Sequence, residues 1–407
     1  MKILLINNCF FRRGGSEAVL FNTAELLKKH GHEVVFFSFS DPKNEKTEEK
    51  EYFVDLSGGI RKLKNYFYNS DAAKKLDEIL LIEKPDIAHV HLIWGGMGVA
   101  IFHVLKKHRV PLVHTVHDYR MVCPAYTFKK GNGNICERCK SWNYYNCAFN
   151  RCSKGSLAQS IIMATEMYIR QLYYNPLKNI DGFIFVSQFA KDKHIEHNRS
   201  FATANSVVLY NYTKPILSPD ISRKEDYYLF FGRLSYEKGA KTLVEAFGQL
   251  SKQKLLVVGT GPLEDKLKKI CSDNEWHNIE FVGYKSGMPL FELIRNARFV
   301  CVPSEWYENN PMTILESYSL GTPVIGARIG GIPEIIEQGK TGFCFESQNI
   351  DDLRMAVENA HKLNEEDYSK MCEQSYALYE KKFSEDSHYA CLVDFYNKTI
   401  NKYHRNK

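Results

Sequence analysis

Two glutamates, Glu308 and Glu316, are separated by seven residues in a stretch that follows the apolar run Phe299–Val302 and opens a helix. We expect this helix to begin at Asn310, which is suited to the N-cap, with Pro311 in the first helical position, where its missing N–H costs nothing. The spacing therefore places one carboxylate before the start of the helix and the other within it.

The start of this helix is also a candidate anion site. The amides of Met312 and Thr313 have no helical partner, and with the positive end of the helix dipole they could hold a phosphate without a metal. Glu316 would lie roughly 7 Å along the helix from Pro311, about the distance from a diphosphate to the ribose that carries it. We predict that Glu316 binds ribose, Glu308 binds a sugar and the amides bind the diphosphate between them.

The stretch PSEWYENNPMTILESYSLGTPVIGARIGGIPE at 303–334 resembles the retaining glycosyltransferases of family 4. Their signature is this Glu, seven residues, Glu pattern, followed by a G-x-P-V-I strand and a G-G-x-P-E turn. The resemblance implies that Glu308 contacts the donor sugar and that Glu316 holds the ribose. Asn310 and Pro311 replace the Phe-Gly usual after the first Glu. The alternative is that each Glu only complements the helix dipole, which is worth a few tenths of a kcal/mol.

The motif GRLSYEKG at 232–239 follows one predicted strand and precedes a helix. Arg233 and Lys238 then lie at the carboxyl end of a strand, where α/β sheets bind ligands. Two fixed cations could neutralise the charge that grows on a departing diphosphate, as a magnesium ion does elsewhere. In the family, the Arg and Lys of this motif bind the diphosphate. An ordinary solvated turn is the alternative.

Other positions that could contact the donor are spread along the chain. Gly14 and Gly15 follow the first predicted strand and let the backbone approach a phosphate or sugar closely. This turn lacks the G-x-G-x-x-G of a dinucleotide site, which counts against an NAD enzyme. The resemblance implies donor contacts from Gly14 and Gly15, a sugar contact from His117, and contacts from Gly261 in the GTGP turn and Tyr284 beside the base. Asp118 could simply cap a turn, and His89, His91 and His114 are predicted core residues.

Five of the 11 cysteines fall within 30 residues of the polar segment 123–152. They are Cys123, Cys136, Cys139, Cys147 and Cys152, and they include one C-x-x-C pair. Such spacing is typical of a zinc ion held by thiolates, so we predict one structural zinc bound by four of the five. The alternative is a long loop with unpaired thiols. We predict no cofactor for catalysis itself.

Strand and helix patterns alternate along all 407 residues, which predicts two parallel-sheet α/β domains. The order of motifs resembles the GT-B architecture, in which two Rossmann-like domains face a central cleft. We predict an N-terminal, acceptor-side domain at 1–210 that contains the Cys-rich loop 123–152, and a linker at 211–224. A nucleotide-sugar-binding domain at 225–384 would follow, and a C-terminal helix at 385–407 would return to the first domain.

Composition limits the location and the partners of the protein. The net charge of +6 falls short of the dense basic patches of a nucleic-acid binder, so we predict no nucleic-acid partner. The apolar run before Arg12 is too short for a signal peptide, and no run reaches the 18 residues of a membrane span, which predicts a cytoplasmic protein. Basic and aromatic residues at 59–75 suit peripheral contact with the inner face of the plasma membrane, although a helix that packs its aromatics inward is an equal alternative.

We therefore predict a metal-independent retaining hexosyltransferase. Its donor is a nucleotide diphosphate sugar, with UDP favoured over GDP, and its acceptor is a glycan, lipid-linked or free, in the synthesis of bacterial O-antigen, capsule or exopolysaccharide. A sugar epimerase or phosphorylase of the same fold is one alternative. A protein that binds nucleotide sugars without catalysis is another.

Overall fold

A computed structural model of the chain describes residues 1–221, 224–250 and 252–405. These residues form two compact units. The first contains Met1–Leu209 together with residues from Tyr389 to the C-terminus, and the second is Tyr210–His388. Residues 211–221, which we predicted to be linker, belong to the second unit.

The first unit is built on a six-stranded sheet in which every pair of neighbouring strands is parallel. The strand order is β2-β1-β3-β4-β5-β6. Short apolar runs such as KILLI and GFIF form these strands because both faces of the sheet are buried beneath helices. The strands are β1 (Lys2–Ile6), β2 (Glu33–Phe37), β3 (Ile87–Val90), β4 (Leu112–Val116), β5 (Gly182–Phe185) and β6 (Ser206–Val208).

Eight helices of the described chain precede the end of this sheet. They are α1 (Gly15–Lys29), α2 (Gly59–Phe67), α3 (Ser70–Glu83), α4 (Ala100–Lys107), α5 (Tyr145–Phe149), α6 (Leu157–Tyr173), α7 (Pro176–Asn179) and α8 (Gln188–His197). The segment 59–75 is divided between α2 and α3, because Asn69 caps α3 by accepting a hydrogen bond from the Ala72 amide at 3.1 Å.

The second unit contains another parallel six-stranded sheet, with the order β12-β11-β10-β7-β8-β9. Its strands are β7 (Tyr227–Phe231), β8 (Lys254–Val258), β9 (Ile279–Gly283), β10 (Phe299–Val302), β11 (Val324–Ala327) and β12 (Gly342–Phe345). Its helices are α9 (Ala240–Gly248), α10 (Glu264–Asp273), α11 (Met288–Asn296), α12 (Met312–Ser319), α13 (Ile332–Ile335), α14 (Ile350–His361) and α15 (Glu365–Lys382). The central strands β7 and β10 carry the two loops that hold the predicted donor residues.

The last helix, α16 (Glu385–Arg405), begins in the second unit and continues along the sheet of the first. Leu392, Phe395 and Tyr396 belong to the core that contains β1 and β3. The Tyr396 hydroxyl lies 2.6 Å from Nδ1 of His89, and the Asn205 amide donates to the Thr399 hydroxyl at 3.2 Å. The first unit therefore contains both ends of the described chain.

The architecture confirms the α/β class and the GT-B prediction, since two Rossmann-like parallel sheets alternate with helices as expected. Within the described residues, no helix is both long and apolar enough to cross a bilayer.

Candidate active site

The side chain of Glu308 is buried and fixed by three hydrogen bonds. It is 8% exposed, and its Oε1 accepts hydrogen bonds from Lys238 Nζ at 2.6 Å, Trp306 Nε1 at 2.7 Å and Ser304 Oγ at 3.0 Å. Burial alone would raise the pKa of Glu308, but the charge of Lys238 and these hydrogen bonds outweigh burial and hold the pKa below its usual value. Glu308 is therefore a carboxylate at neutral pH.

All three donors reach the same oxygen of Glu308. Within the described residues, Oε2 accepts no hydrogen bond, so it can receive a hydroxyl from a ligand. Lys238 in turn lies over the Trp306 ring, with Nζ 5.4 Å from the ring centroid. The structure thus brings together Glu308 and Lys238, which the sequence places in two separate motifs.

Two glycines let the loops around this pair pack closely. Gly239 has φ of +68°, and a Cβ there would lie 1.7 Å from the Pro303 carbonyl oxygen. Gly330 has φ of +61°, and a Cβ there would lie 2.3 Å from the carbonyl oxygen of Glu308, which accepts a hydrogen bond from the Gly331 amide at 2.7 Å. Any other residue at either position would clash and would be strained in this conformation. The glycines after Lys238 and in the G-G-x-P-E turn therefore fix the backbone on both sides of the ion pair.

The helix after Glu308 starts later than predicted. Its first residue is Met312, and the N-cap is Pro311, with extended φ and ψ of −69° and 119°. Asn310 was wrongly predicted as the cap because its side chain is used elsewhere: its Oδ1 accepts a hydrogen bond from the Asn211 amide at 2.8 Å. Met312 and Thr313 are the first two residues of α12, so their amides have no carbonyl partner within the helix, and binding of an anion there stays a prediction.

Glu316 lies in the second turn of α12 and is half-buried. Burial raises its pKa to about 7. Within the described residues, its carboxylate has neither a hydrogen bond nor an ion pair that would offset the cost of burying it. A half-buried carboxylate left in this state is suited to accept hydrogen bonds from a ligand.

Arg233 and Gly261 lie on adjacent turns of the second unit. The Leu234 amide donates to the Thr260 carbonyl at 3.0 Å, and a Cβ on Gly261 would lie 2.4 Å from the Leu234 carbonyl oxygen. Arg233 is exposed and forms no ion pair with another described residue. Its guanidinium is therefore available to a ligand. Tyr284, after β9, is 71% exposed.

Gly14 and Gly15 lie at the start of α1, with Gly14 as its N-cap. Glu17, in the same turn, was not among the predicted site residues. This carboxylate is buried, and its Oε2 accepts a hydrogen bond from the Ser16 hydroxyl at 3.1 Å. Its Oε1 has no hydrogen-bond partner, and the Arg13 guanidinium is 3.9 Å away. A carboxylate in the turn directly after the two glycines was the signal available in the sequence.

His117 follows β4 and is half-buried. Its Nε2 lies 2.8 Å from Nδ1 of His91, and burial lowers the pKa of His117 to about 4. The ring is therefore neutral at pH 7 and can contact a sugar hydroxyl without carrying charge. The neighbouring Asp118 caps its turn, since its Oδ1 accepts a hydrogen bond from the Arg120 amide at 2.9 Å.

The five clustered cysteines are all free thiols. A side-chain hydrogen bond with Cys152 and burial raise the pKa of the Cys147 thiol, while that hydrogen bond lowers the pKa of Cys152. Deprotonated cysteine side chains, the thiolates, are donors that zinc prefers. Among the described residues, however, no three His, Cys, Asp or Glu side chains are arranged to hold a metal ion. Zinc bound by four of Cys123, Cys136, Cys139, Cys147 and Cys152 stays a prediction.

The predicted residues are thus divided between the units. Gly14, Gly15 and His117 belong to the first unit, and the remaining donor residues belong to the second. Two further contacts of Glu308, from Ser304 and Trp306, were not predicted. Both residues precede Glu308 by four or fewer positions, so proximity in sequence was the only available signal.

Two family models match the two halves of the chain. Residues 13–213 match the model of Glycosyltransferase Family 4, and residues 217–377 match that of the Glycosyl transferases group 1. A protein from the cps region of Klebsiella pneumoniae is 26% identical over 88% of this chain and 94% of its own length. The O-antigen chain mannosyltransferase C of Escherichia coli is 29% identical over 42% of this chain and 46% of its own.

Solved structures show the same fold over nearly the whole chain. The Anabaena protein HepE in complex with UDP has a TM-score of 0.69 and 17% identity, and the match covers 98% of this chain and 100% of HepE. HepE has also been solved with UDP-glucose. The two matching family models and this shared architecture confirm the predicted resemblance: the chain belongs to the family 4, group 1 type glycosyltransferases with the GT-B fold.

Proposed function

We propose that this glycosyltransferase moves a hexose from a UDP-sugar to a glycan acceptor, with retention of configuration, in the synthesis of a bacterial surface polysaccharide. The relatives named for a cps region and for O-antigen support this class of product. The complexes of HepE with UDP and UDP-glucose support a uridine nucleotide as donor. Capsule, O-antigen and exopolysaccharide are all products of this class.

The observation that carries the proposal is the ion pair between Lys238 and Glu308. The pair lies in the loops after β7 and β10, at the carboxyl ends of neighbouring strands, where α/β sheets bind ligands. Glu308 has one oxygen fully used by protein donors and the other free of them. It can accept a hydroxyl of the donor sugar without losing the contacts that position it.

Charge on the diphosphate is the second part of the proposal. The diphosphate would bind to the amides of Met312 and Thr313 and to the exposed guanidinium of Arg233, while Lys238 would add a second cation beside Glu308. As the glycosidic bond breaks, the bridging oxygen that leaves with the diphosphate gains negative charge. Groups already fixed in place stabilise this charge more strongly than they stabilise the bound donor. Arg233 and Lys238 would therefore supply the charge that a divalent metal supplies in other transferases.

The remaining contacts would orient the nucleotide and the sugar. Glu316 is proposed to accept hydrogen bonds from the ribose, which would compensate for its burial. Gly261 and Tyr284 would approach the nucleotide, while Gly14, Gly15 and the neutral His117 would contact the donor. In the proposed step, the acceptor oxygen bonds to the anomeric carbon on the face that the diphosphate leaves. The departing phosphate oxygen takes the acceptor proton, so no protein base is required.

The test is product analysis with UDP-hexose labelled in the sugar, supplied with a glycan acceptor and excess EDTA. We expect label in a longer glycan with the anomeric configuration of the donor, and release of UDP. Label recovered as an isomer of the donor would indicate an epimerase, and phosphate-dependent release of sugar phosphate would indicate a phosphorylase. Donor that binds but is recovered unchanged with every acceptor would indicate a binding protein.

Glu308→Gln tests the carrying observation directly. We expect it to lower turnover while affinity for UDP stays near that of the unaltered protein, since Glu308 is assigned to the sugar. Glu346→Gln is a matched control, because Glu346 is an exposed carboxylate of the same unit, and it pairs with Arg328 at 2.8 Å. Equal turnover in the two variants would contradict the role of Glu308.

A further inference from the structure

An apolar and basic surface covers one side of the first unit. It is formed by α2, α5 and α6, since α6 packs against both of the other helices and the Tyr145 amide donates to the Tyr168 hydroxyl at 3.3 Å. We call it the α2–α6 face. Its exposed apolar side chains are Ile60, Leu63, Tyr145, Phe149, Leu157, Ile161 and Leu172.

The apolar residues of this face follow helical periodicity. In α6, Leu157, Ile161 and Leu172 fall on one stripe, because positions four, seven and eleven residues apart lie on one side of a helix. The opposite side of α6 is buried, including Glu166 and Arg170. In α2, Ile60 and Leu63 are likewise adjacent on the helix surface, and Ile60 is 90% exposed. Both helices are therefore amphipathic with an apolar stripe turned away from the core of the unit.

The aromatic side chains of α2 pack inward, but the aliphatic side chains of the helix do not. Tyr66 and Phe67 are half-buried, and the ring of Tyr66 packs against Gly95, where a Cβ would lie 3.1 Å from it. The helix is thus anchored to the unit by its aromatic end. Its aliphatic side chains stay exposed although the helix is fixed in place.

The segments that carry the face are rich in basic residues. Segment 56–70 contains Arg61, Lys62 and Lys64 and no acidic residue. Segment 138–165 contains Arg138, Lys140, Arg151 and Lys154 and again no acidic residue. Glu166, the next carboxylate along α6, is buried and paired with Arg170. Arg61 pairs with Asp71 at 2.7 Å, and Lys140 pairs with Glu196, so five of the seven cations keep their charge uncompensated by these pairs.

We propose that the α2–α6 face docks on an anionic lipid bilayer. Apolar side chains surrounded by lysine and arginine match a surface of anionic headgroups over acyl chains, where the aliphatic side chains can enter and the cations stay at the phosphates. A second copy of this chain fits the face less well, since a two-fold interface would bring the same cations against each other. The proposal is independent of the donor and of the transfer chemistry.

Vesicle flotation with the 407-residue protein tests the proposal. The vesicles are phosphatidylcholine alone or with about 30% phosphatidylglycerol, a composition that gives a negative surface potential. We expect flotation with the anionic vesicles, loss of flotation as salt is raised to about 0.5 M, and little binding to the neutral ones. Absence of flotation with anionic vesicles, or equal flotation with neutral ones, would overturn the proposal.

Two double variants separate the contributions of charge and apolar surface. Lys62→Gln with Lys64→Gln should weaken binding about 25-fold, from about fivefold for each lysine lost near a charged bilayer. Ile60→Ser with Leu63→Ser should weaken it more than about tenfold through lost apolar burial. Met355→Ser and Lys269→Gln are matched controls, since both residues are exposed in the second unit, and they should float as the unaltered protein does.

Two outcomes of the variant series would count against the bilayer. If both double variants floated like the controls, a different surface would bind lipid. If the unaltered protein formed a dimer without lipid and Ile60→Ser with Leu63→Ser made it monomeric, the face would be an interface between two copies. Mass measurement by light scattering on the same samples distinguishes these results.

Discussion

The pKa of Glu316 gives a quantitative test of how the nucleotide is bound. Burial raises this pKa to about 7, and a ribose hydroxyl donates a hydrogen bond more favourably to a carboxylate than to a protonated carboxyl. If only the ionised form binds, about one tenth of the protein is competent at pH 6 and about nine tenths at pH 8. The affinity for donor should therefore rise about tenfold over these two pH units.

Calorimetric titration with UDP-glucose measures this change. UDP-glucose is the suitable probe because its diphosphate is substituted at both ends, whereas a terminal phosphate has a pKa of about 6 and would titrate in the same range. Glu316→Gln removes the titrating group, so its affinity should not follow pH between 6 and 8, and at pH 8 it should be lower than that of the unaltered protein. A tenfold rise that persists in Glu316→Gln would refute the assignment to Glu316.

The same group should make stability depend on pH. The pKa of Glu316 is higher in the folded chain than the ordinary value of 4.5, so the folded state retains a proton that the unfolded state has lost between pH 4.5 and about 7. Stability from this group is full below pH 4.5 and declines as pH rises to about 7, by at most about 3 kcal/mol. Glu316→Gln should therefore gain stability relative to the unaltered protein as pH rises, as measured by urea unfolding of the two proteins at several pH values. A constant difference from pH 4.5 to 8 would contradict the raised pKa.

Three further predictions concern other parts of the chain. Arg233→Ala should cost about 3–4 kcal/mol of transition-state stabilisation, mostly as a lower kcat. Steady-state kinetics with EDTA present measures this loss. Activity that requires added magnesium would contradict the charge assignment. Elemental analysis of the purified protein should find about one equivalent of zinc. The zinc should be lost when the clustered cysteines from Cys123 to Cys152 are replaced by serine. Purified protein without zinc would favour the alternative of a loop with unpaired thiols. Gly239→Ala should destabilise the second unit by more than about 1 kcal/mol in thermal unfolding, whereas Gly287→Ala, also at positive φ but with open space around it, should cost less.

Periodicity and motif order were sufficient to predict the fold. The runs that became β1, β4 and β10 are buried at nearly every position, and a strand of this kind is easy to find because most of its residues are apolar. Some helix limits are also set by local signals: Ser156, a residue type suited to the N-cap, caps α6 by accepting a hydrogen bond from the Gln159 amide. Tertiary contacts decided the remaining boundaries. Asn310 is a good N-cap in isolation, but it is used by Asn211, which is 99 positions away.

The candidate site was predictable in its residue types and not in its contacts. Glu308 and Lys238 were both named from motifs, yet a separation of 70 residues gave no indication that they form an ion pair. The pair depends on β7 and β10 being neighbours in the sheet, and strand order is a property of the whole unit. Burial of Glu17 and the raised pKa of Glu316 likewise depend on packing that no local pattern describes.

The path of α16 has a consequence for the order in which the chain can fold during synthesis. The first 209 residues emerge from the ribosome well before Leu392, Phe395 and Tyr396, which complete the core of that unit. Until then, the apolar surface beside β1 and β3 is uncovered and His89 lacks the Tyr396 hydroxyl. We therefore expect the core of the first unit to stay incompletely packed while the whole second unit is translated. Termination of synthesis before α16 would leave this apolar surface exposed, and we expect such a fragment to aggregate.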